Sequence, residues 1–298
     1  MKPYFETIRP GNCLMASLAV MAGFILVSRS LSAFLMPEMY IAVISAFLIT
    51  AAGNAINDYT DVGSDRINRP LKPIPSGRLS RNGVLFFSAI LFILGTALAF
   101  FLPKSALIIA LFNSVILILY SLYLQSKVFI SNISISYLVA STFLFGGAAA
   151  GNISTVSWLA LLAFLPNTAR EIVKDIEDME GDRLSISAVK KMVRDRLEKI
   201  AAFGSKGKSI AAQYSEKASR IAAAVSLLTG VLISPLPFLN GLLGFGYLPV
   251  LLLADIFFAY SAYRIYRARK KKDYSAISRN IKIGMLLGLL AFMAGIFL

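Results

Sequence analysis

The sequence has few charged residues, no histidine and a single cysteine. Only 15% of its 298 residues are charged, whereas 57% are hydrophobic. A soluble domain has about 25% charged residues, and a disordered chain has low hydrophobicity, so both classes are excluded. The single Cys13 excludes a disulfide-rich secreted fold, and the absence of histidine gives no support for a zinc site. A polytopic membrane protein remains.

Nine apolar segments follow one another along the chain, and each has roughly the 20 residues that a helix needs to cross about 30 Å of hydrocarbon. Barrel strands would need only about 10 residues of alternating polarity. The predicted fold is therefore all-α: one domain, 1–298, with nine transmembrane helices around a central cavity and a cytoplasmic cap of loops and short helices. The long charged connector 175–217 is expected to contain a surface helix. The nine segments are 11–34, 37–58, 83–102, 105–124, 129–150, 153–174, 218–237, 243–265 and 280–298.

Nine spans divide the connections between two sides of the membrane, and nearly all lysine and arginine residues lie on one of them. Of the 30 basic residues, 28 lie in the N-terminus and in every second connection or its flanks, and the other two are Arg29 and Lys104. Basic residues mark the cytoplasmic side of a membrane protein. The sequence thus predicts a multi-pass cell-membrane protein with a cytoplasmic N-terminus and an external C-terminus. The net charge of +14 is explained by this topology and by membrane lipids, so no nucleic-acid partner is predicted.

The acidic residues form two matching clusters that each follow an apolar segment. Asp58, Asp61 and Asp65 are followed by Arg66, and the same spacing recurs 117 residues later. This recurrence predicts that halves 1–125 and 126–298 are pseudo-repeats, and both clusters fall on the predicted cytoplasmic side. The residues of the second cluster are Asp175, Asp178, Asp182 and Arg183.

The spacing of the carboxylates predicts a metal site. Residues i, i+3 and i+7 share one face of a helix, as do Asn57, Asp61 and Asp65 at i, i+4 and i+8. Converging carboxylates require a cation, and all-oxygen ligands suit Mg²⁺ or Ca²⁺. Mg²⁺ commonly binds one or two carboxylates together with substrate phosphates. Two facing clusters therefore predict two Mg²⁺ ions that clamp a diphosphate. The candidate metal ligands are Asn57, Asp58, Asp61, Asp65, Asp175, Asp178 and Asp182.

Basic side chains flank both clusters and suit a departing diphosphate. Asn12 is added because it lies at the same cytoplasmic depth. Asp255 is an isolated charge inside the eighth segment, and the sequence leaves open whether it contacts substrate or makes a structural hydrogen bond. The candidate substrate-binding residues are Asn12, Arg66, Arg69, Lys72, Tyr123, Lys127, Arg170, Lys174 and Arg183, and the candidate catalytic residues are Asp61, Asp178 and Lys174.

At these positions the chain resembles the UbiA-type intramembrane prenyltransferases. The family pattern N-D-x-x-D-x-x-x-D stands at 57–65, the pattern D-x-x-x-D at 178–182, and the pattern Y-x-x-x-K at 123–127. The stretches 9–15, 67–77 and 170–178 are most similar to an archaeal branch of the family. The resemblance implies Mg²⁺-dependent transfer of a geranylgeranyl group from its diphosphate to geranylgeranylglyceryl phosphate, in ether-lipid synthesis.

Two other functions stay open on the sequence alone. Another branch of the same family prenylates aromatic acids or quinone precursors, and its loops share features such as Pro75-Ser76-Gly77. A different class, the ion-coupled transporters, also has pseudo-repeats and intramembrane charge. Transporter carboxylates, however, tend to lie near the bilayer midplane, whereas these clusters lie at helix ends.

The topology can be tested by labelling a single cysteine. In a Cys13→Ser background, Ser76→Cys should react with a membrane-impermeant thiol reagent only from the cytoplasmic side, because the segment between the second and third spans carries five basic residues. Right-side-out and inverted vesicles provide the comparison. Labelling from the outside would show that the orientation is reversed.

Overall fold

In the computed structural model, the protein is a bundle of long helices. The structure describes residues 2–126, 128–194 and 206–297, and within these ranges it gives only the backbone for 31, 67–68, 126, 128, 178–194 and 206–215. The described residues contain no strand, which confirms the all-α prediction. The helices are α1 (Lys2–Ile8), α2 (Pro10–Ser28), α3 (Pro37–Thr60), α4 (Val62–Asn68), α5 (Arg81–Ala99), α6 (Lys104–Leu122), α7 (Val128–Ala149), α8 (Ser154–Arg194), α9 (Lys206–Ile233), α10 (Leu236–Leu239), α11 (Tyr247–Arg267) and α12 (Lys271–Phe297).

The helix ends follow local sequence signals. Pro10 and Pro37 occupy the first turn of α2 and α3, where a missing N–H costs nothing and the fixed φ favours a helix. The hydroxyl of Ser80 caps α5 by accepting a hydrogen bond from the amide of Gly83 at 3.1 Å. Short turns then return the chain across the bundle, so that consecutive long helices run antiparallel.

The long helices close into a ring. Helix α2 packs against α3 and α7, α7 against α6 and α8, and α8 against α9 and α12. Helices α11 and α12 pack together, α11 also contacts α9, and contacts between α12 and α2 complete the ring. Helix α5 lies against α3 on the outside. The interior of the ring is lined by all of these helices except α5.

Close approach of α2 and α7 depends on two glycines. A Cβ at Gly23 would lie 2.4 Å from the carbonyl oxygen of Phe143, and one at Gly146 would lie 2.0 Å from that of Val20. Within a membrane the hydrophobic effect does not drive helices together, so they associate by close packing, and small residues permit that close approach. The start of α2, which carries Arg9 and Asn12, is thereby fixed relative to the second half of the bundle.

Eight of the described helices are long and apolar enough to cross a membrane: α2, α3, α5, α6, α7, α9, α11 and α12. They confirm a multi-pass membrane protein. The predicted segment 153–174 forms the first half of α8, which is part of the ring but is less apolar because it contains Asn167, Arg170 and Glu171. The count of nine spans stays a prediction.

The connector 175–217 was expected to contain a surface helix, and its described part is helical. Helix α8 continues from its membrane segment to Arg194, and α9 begins at Lys206. The apolar positions at helical spacing were therefore interpreted correctly as helix, and the surface position of this segment stays a prediction.

Candidate active site

A cavity of about 560 Å³ opens between the helices. Polar and charged side chains of α2, α3 and α8, and of Arg9 just before α2, line one end, and apolar side chains line most of the rest. Asn12, Asn57, Arg170 and Lys174 are predicted site residues that line it. The other predicted site residues with described side chains are not among those that line this cavity: the exposed Arg66 and Arg69, and Asp58, Asp61, Asp65, Lys72, Tyr123 and Asp175. The polar end lies where α3 ends and where α8 carries Asp175.

Two carboxylates of the first cluster are buried and share one lysine. Asp58 and Asp65 are each 6% exposed. The Nζ of Lys72 lies 3.0 Å from Oδ1 of Asp58 and 2.6 Å from Oδ2 of Asp65. Because burial of an unpaired charge costs several kcal/mol, this lysine neutralises the pair and fixes the loop after α4 against the end of α3. Sequence reasoning assigned Lys72 to the diphosphate and did not predict this contact.

Arg9 completes the charge balance of Asp58. Its Nη2 lies 2.6 Å from Oδ1 of Asp58 and donates to Oδ1 of Asn57 at 3.2 Å. Arg9 has a φ of 52°, a left-handed conformation that is uncommon for a residue with a side chain. The amide of Asn54 donates to the carbonyl of Ile8 at 2.8 Å and supports this turn. Sequence reasoning counted Arg9 only as a topology signal; the stretch 9–15, which resembles the family, was the clue to its role.

The third carboxylate, Asp61, faces a different neighbour. Gln125 donates through Nε2 to both carboxylate oxygens of Asp61 at 3.0 and 3.2 Å, and it accepts from Nδ2 of Asn57 at 3.1 Å. Burial raises the pKa of Asp61 above that of an ordinary aspartate, and the hydrogen bond from Gln125 partly offsets this increase. Asn57 and Asp61, which are four residues apart, therefore share Gln125, whereas Asp58 and Asp65, which are seven apart, share Lys72. Gln125 was missed because one glutamine in a loop carries no pattern.

Tyr123 lies beside this glutamine in a groove, where it is 65% exposed. The groove is lined by Tyr59, Thr60, Asp61, Arg81, Ser121, Leu122, Tyr123 and Gln125. Lys127, the other residue predicted from the Y-x-x-x-K pattern, lies outside the described residues. The structure therefore brings Tyr123 next to Asp61, and the pairing with Lys127 stays a prediction.

In the second cluster, the first carboxylate is held by α7. Nδ2 of Asn132 donates to Oδ2 of Asp175 at 2.7 Å. Two turns further into the bundle, the buried Asn167 donates to the hydroxyl of Ser136 at 3.3 Å. These two bonds fix the rotation of α8 against α7. The remaining predicted residues of this cluster, Asp178, Asp182 and Arg183, lie outside the described side chains.

Glu171 organises the predicted cations of α8. Its Oε1 lies 2.6 Å from Nη1 of Arg170, and its Oε2 lies 2.9 Å from Nζ of Lys174. All three side chains line the cavity. One carboxylate therefore holds two positive groups at the polar end of the cavity. Sequence reasoning had not included Glu171.

Asp255 lies among the apolar residues of the cavity wall. Its Oδ2 accepts a hydrogen bond from the hydroxyl of Ser234 at 2.8 Å, while Oδ1 is buried without a hydrogen-bond partner in the described part of the chain. Tyr247 donates to the carbonyl of Ser234 at 2.7 Å. The sequence left two roles open for Asp255, and the structure provides both the hydrogen bond and a position in the cavity wall.

The donor set fits a hard cation, although the described side chains are not gathered around one. Among them, no three Asp, Glu or Cys side chains form a group that could hold a metal ion. Asp58 and Asp65 face Lys72, and Asp61 faces Gln125. All of these ligand atoms are oxygens, which suits Mg²⁺.

Replacing Lys72 should lower the free energy of unfolding of the protein. In Lys72→Met, Asp65 loses the ion pair that the structure gives it, while Arg9 still holds Asp58. Removal of one partner from a buried ion pair costs about 3–5 kcal/mol, so a fall of several degrees in melting temperature is expected in detergent. Glu6→Gln breaks only the exposed pair with Arg78 and should have almost no effect. Equal melting temperatures for the two variants would show that the Lys72 cluster is not stabilising.

Comparison with known proteins identifies the family of this chain. The model of the UbiA prenyltransferase family matches residues 16–287. Digeranylgeranylglyceryl phosphate synthase of Methanococcoides burtonii is 40% identical over 99% of this chain and 100% of its own length.

Solved structures share the same fold. One of digeranylgeranylglyceryl phosphate synthase has a TM-score of 0.79 and 36% identity, and the match covers 99% of this chain and 98% of that one. A UbiA homologue from Archaeoglobus fulgidus, bound to DMAPP and Mg²⁺, has a TM-score of 0.62 and 14% identity over 98% and 99% of the two chains. The identity of the second is so low that it supports the fold alone. The family match runs from the first half of α2 into α12 and shows that the chain belongs to the UbiA prenyltransferase family.

Proposed function

We propose that the protein transfers a geranylgeranyl group from its diphosphate to the free hydroxyl of geranylgeranylglyceryl phosphate. The observation that carries this proposal is the cavity, which joins Asn57, Arg170 and Lys174 at its polar end to walls that are mostly apolar along the rest of its length. An isoprenoid diphosphate has the same division between a charged head and an apolar chain. The acceptor is chosen because the full-length relatives are digeranylgeranylglyceryl phosphate synthases.

The residues at the polar end suit the departure of a diphosphate. Arg170 and Lys174 line the cavity, and Lys72 and Arg9 lie against the first cluster. Charges placed in advance, where negative charge develops, favour cleavage of the bond between C1 and oxygen. The apolar walls exclude water from the allylic cation that forms as the diphosphate leaves with the electron pair. The acceptor oxygen then bonds to C1 and loses its proton.

Mg²⁺ is the proposed metal, with two ions as the predicted number. Support comes from the all-oxygen donor set and from membership of the UbiA family; the Archaeoglobus fulgidus homologue, which has the same fold, was solved with DMAPP and Mg²⁺. The proposed ligands are the residues of the two predicted clusters, from 57 to 65 and from 175 to 182. A bound Mg²⁺ would neutralise the diphosphate and make it a better leaving group. The site is proposed to face the cytoplasm, on the strength of the distribution of lysine and arginine.

Removal of one carboxylate from each cluster tests the clamp. Asp61→Ala and Asp178→Ala should each abolish turnover, because each removes a proposed ligand, and both should keep the melting temperature of a folded protein in detergent. Glu38→Ala, at the opposite end of α3, is the matched control and should stay active. Near-normal turnover of either aspartate variant at saturating Mg²⁺ would contradict the two-cluster site.

Direct competition between acceptors tests the reaction. Purified protein is given geranylgeranyl diphosphate with equal concentrations of geranylgeranylglyceryl phosphate and 4-hydroxybenzoate, and the products are separated by mass. The expected product is the glyceryl ether, released together with diphosphate in the absence of any membrane gradient. A predominantly C-prenylated aromatic product would refute the proposed acceptor and would favour the aromatic branch of the same family. Failure to release diphosphate without a gradient would leave a transport function as the better explanation.

A further inference from the structure

Helix α12 presents a lysine to the cavity. The lining residues of this helix include Lys282, Met285, Leu286 and Leu289. Their spacing of three and four residues places them in one stripe along a helix. The side chain of Lys282 is exposed, and because it belongs to this stripe it faces the cavity and not the surrounding lipid. A charge in a span normally faces the bundle interior and marks a functional site.

Lys282 differs from the other cations of the cavity wall. Arg9 is paired with Asp58, and both Arg170 and Lys174 are paired with Glu171. In the part of the chain that the structure describes, Lys282 makes no ion pair or side-chain hydrogen bond, and its neighbours in the lining stripe of α12 are apolar. A cation that no protein group neutralises is available to an anionic ligand.

The register of α11 and α12 gives the depth of this lysine. A Cβ at Gly284 would lie 2.6 Å from Cε1 of Phe258, so these two residues lie at one level. Asp255 precedes Phe258 in a helix that runs towards the turn before α12. Lys282 is therefore nearer to that turn than Asp255 is, by about 7.5 Å at a rise of 1.5 Å per residue. Near the start of α12, the hydroxyl of Ser275 donates to Glu177 of α8, so the turn lies at the same end of the bundle as Lys174, and Lys282 lies on that side of Asp255.

We propose that Lys282 binds the phosphate of the acceptor lipid and thereby selects a phosphate-bearing acceptor. This inference rests on the proposed function, because two substrates with phosphate groups must then occupy one cavity. Under the proposed function, the donor diphosphate binds to the two carboxylate clusters through Mg²⁺ and to the paired cations at the polar end of the cavity. The acceptor phosphate needs a separate positive charge, and lysine binds phosphate well as a point charge. Among the described residues that line the cavity, Lys282 is the cation that such a phosphate can use without breaking an ion pair that the structure shows.

Kinetics with separate variation of the two substrates test this assignment. Lys282→Met keeps the length of the side chain and removes its charge. It should raise the KM for geranylgeranylglyceryl phosphate by roughly tenfold or more, as expected for loss of a charge-assisted contact. The KM for geranylgeranyl diphosphate and the kcat at saturating acceptor should change little. Lys282→Arg should restore most of the affinity, and Lys272→Met, an exposed position on the same helix, is the matched control.

An acceptor without the phosphate separates recognition of phosphate from other effects. Geranylgeranylglycerol should be a poor substrate for the wild-type protein, and Lys282→Met should not make it poorer. An unchanged KM for the phosphorylated acceptor, or an increase in the KM for the donor instead, would overturn the assignment. A lower melting temperature with unchanged KM values would also overturn it, because it would make Lys282 a structural counter-charge for Asp255.

The proposed function can fail independently of this inference. If the wild-type protein makes no product from geranylgeranylglyceryl phosphate, the proposed function is wrong. Binding is then measured without turnover, as the rise in melting temperature that geranylgeranylglyceryl phosphate causes in detergent. A rise in the wild-type protein that is lost in Lys282→Met and kept in Lys272→Met supports the phosphate site. The same rise in all three proteins refutes it.

Discussion

Burial of charge at the end of an apolar helix is the constraint on which the rest of the site depends. Asp58 and Asp65 lie where α3 and α4 meet, almost completely removed from solvent. Neither carboxylate is stable there without a cation. Lys72 reaches both from the following loop, and Arg9 reaches Asp58 from the junction of α1 and α2. The loop after α4 and the junction of α1 and α2 are thus positioned by the carboxylates that they neutralise, beside the polar end of the cavity.

The same interactions reconcile stability with the proposed reaction. Without substrate, carboxylates of the protein hold the cations at and near the polar end of the cavity: Lys72, outside the cavity wall, is held by the first cluster, and Arg170 and Lys174 are held by Glu171. Under the proposed function, an entering diphosphate with its metal brings both signs of charge to this place. The carboxylates would then hold the metal, and the released Lys72, Arg170 and Lys174 would pair with the diphosphate oxygens. Such a network leaves no charge unpaired, either without substrate or with the diphosphate bound. Each carboxylate or cation only exchanges one oppositely charged partner for another.

Much of the architecture was predictable because it depends on long-range composition. Runs of about 20 apolar residues identify membrane helices, and eight of the nine predicted segments became helices that satisfy this criterion. The spacing predicted that Asp58, Asp61 and Asp65 share one face. In the structure Lys72 bridges Asp58 and Asp65, whereas Asp61 faces Gln125, because α3 ends at Thr60 and a new helix begins at Val62. At residue 175 the change from apolar to charged residues marks the end of the predicted span but not of the helix, since α8 continues to Arg194.

The contacts that complete the site depend on features that a sequence pattern does not contain. Arg9 reaches Asp58 only because its backbone adopts a left-handed conformation before Pro10, and that conformation is supported by Asn54 from another helix. Lys282 falls in a basic stretch that, from the sequence, indicates only the cytoplasmic side. Its significance comes from the packing of Gly284 against Phe258, which sets the depth at which α12 meets the cavity. Charge distribution along the chain therefore predicts the side of the membrane, whereas helix register decides which of those charges enter the cavity and are able to meet a substrate.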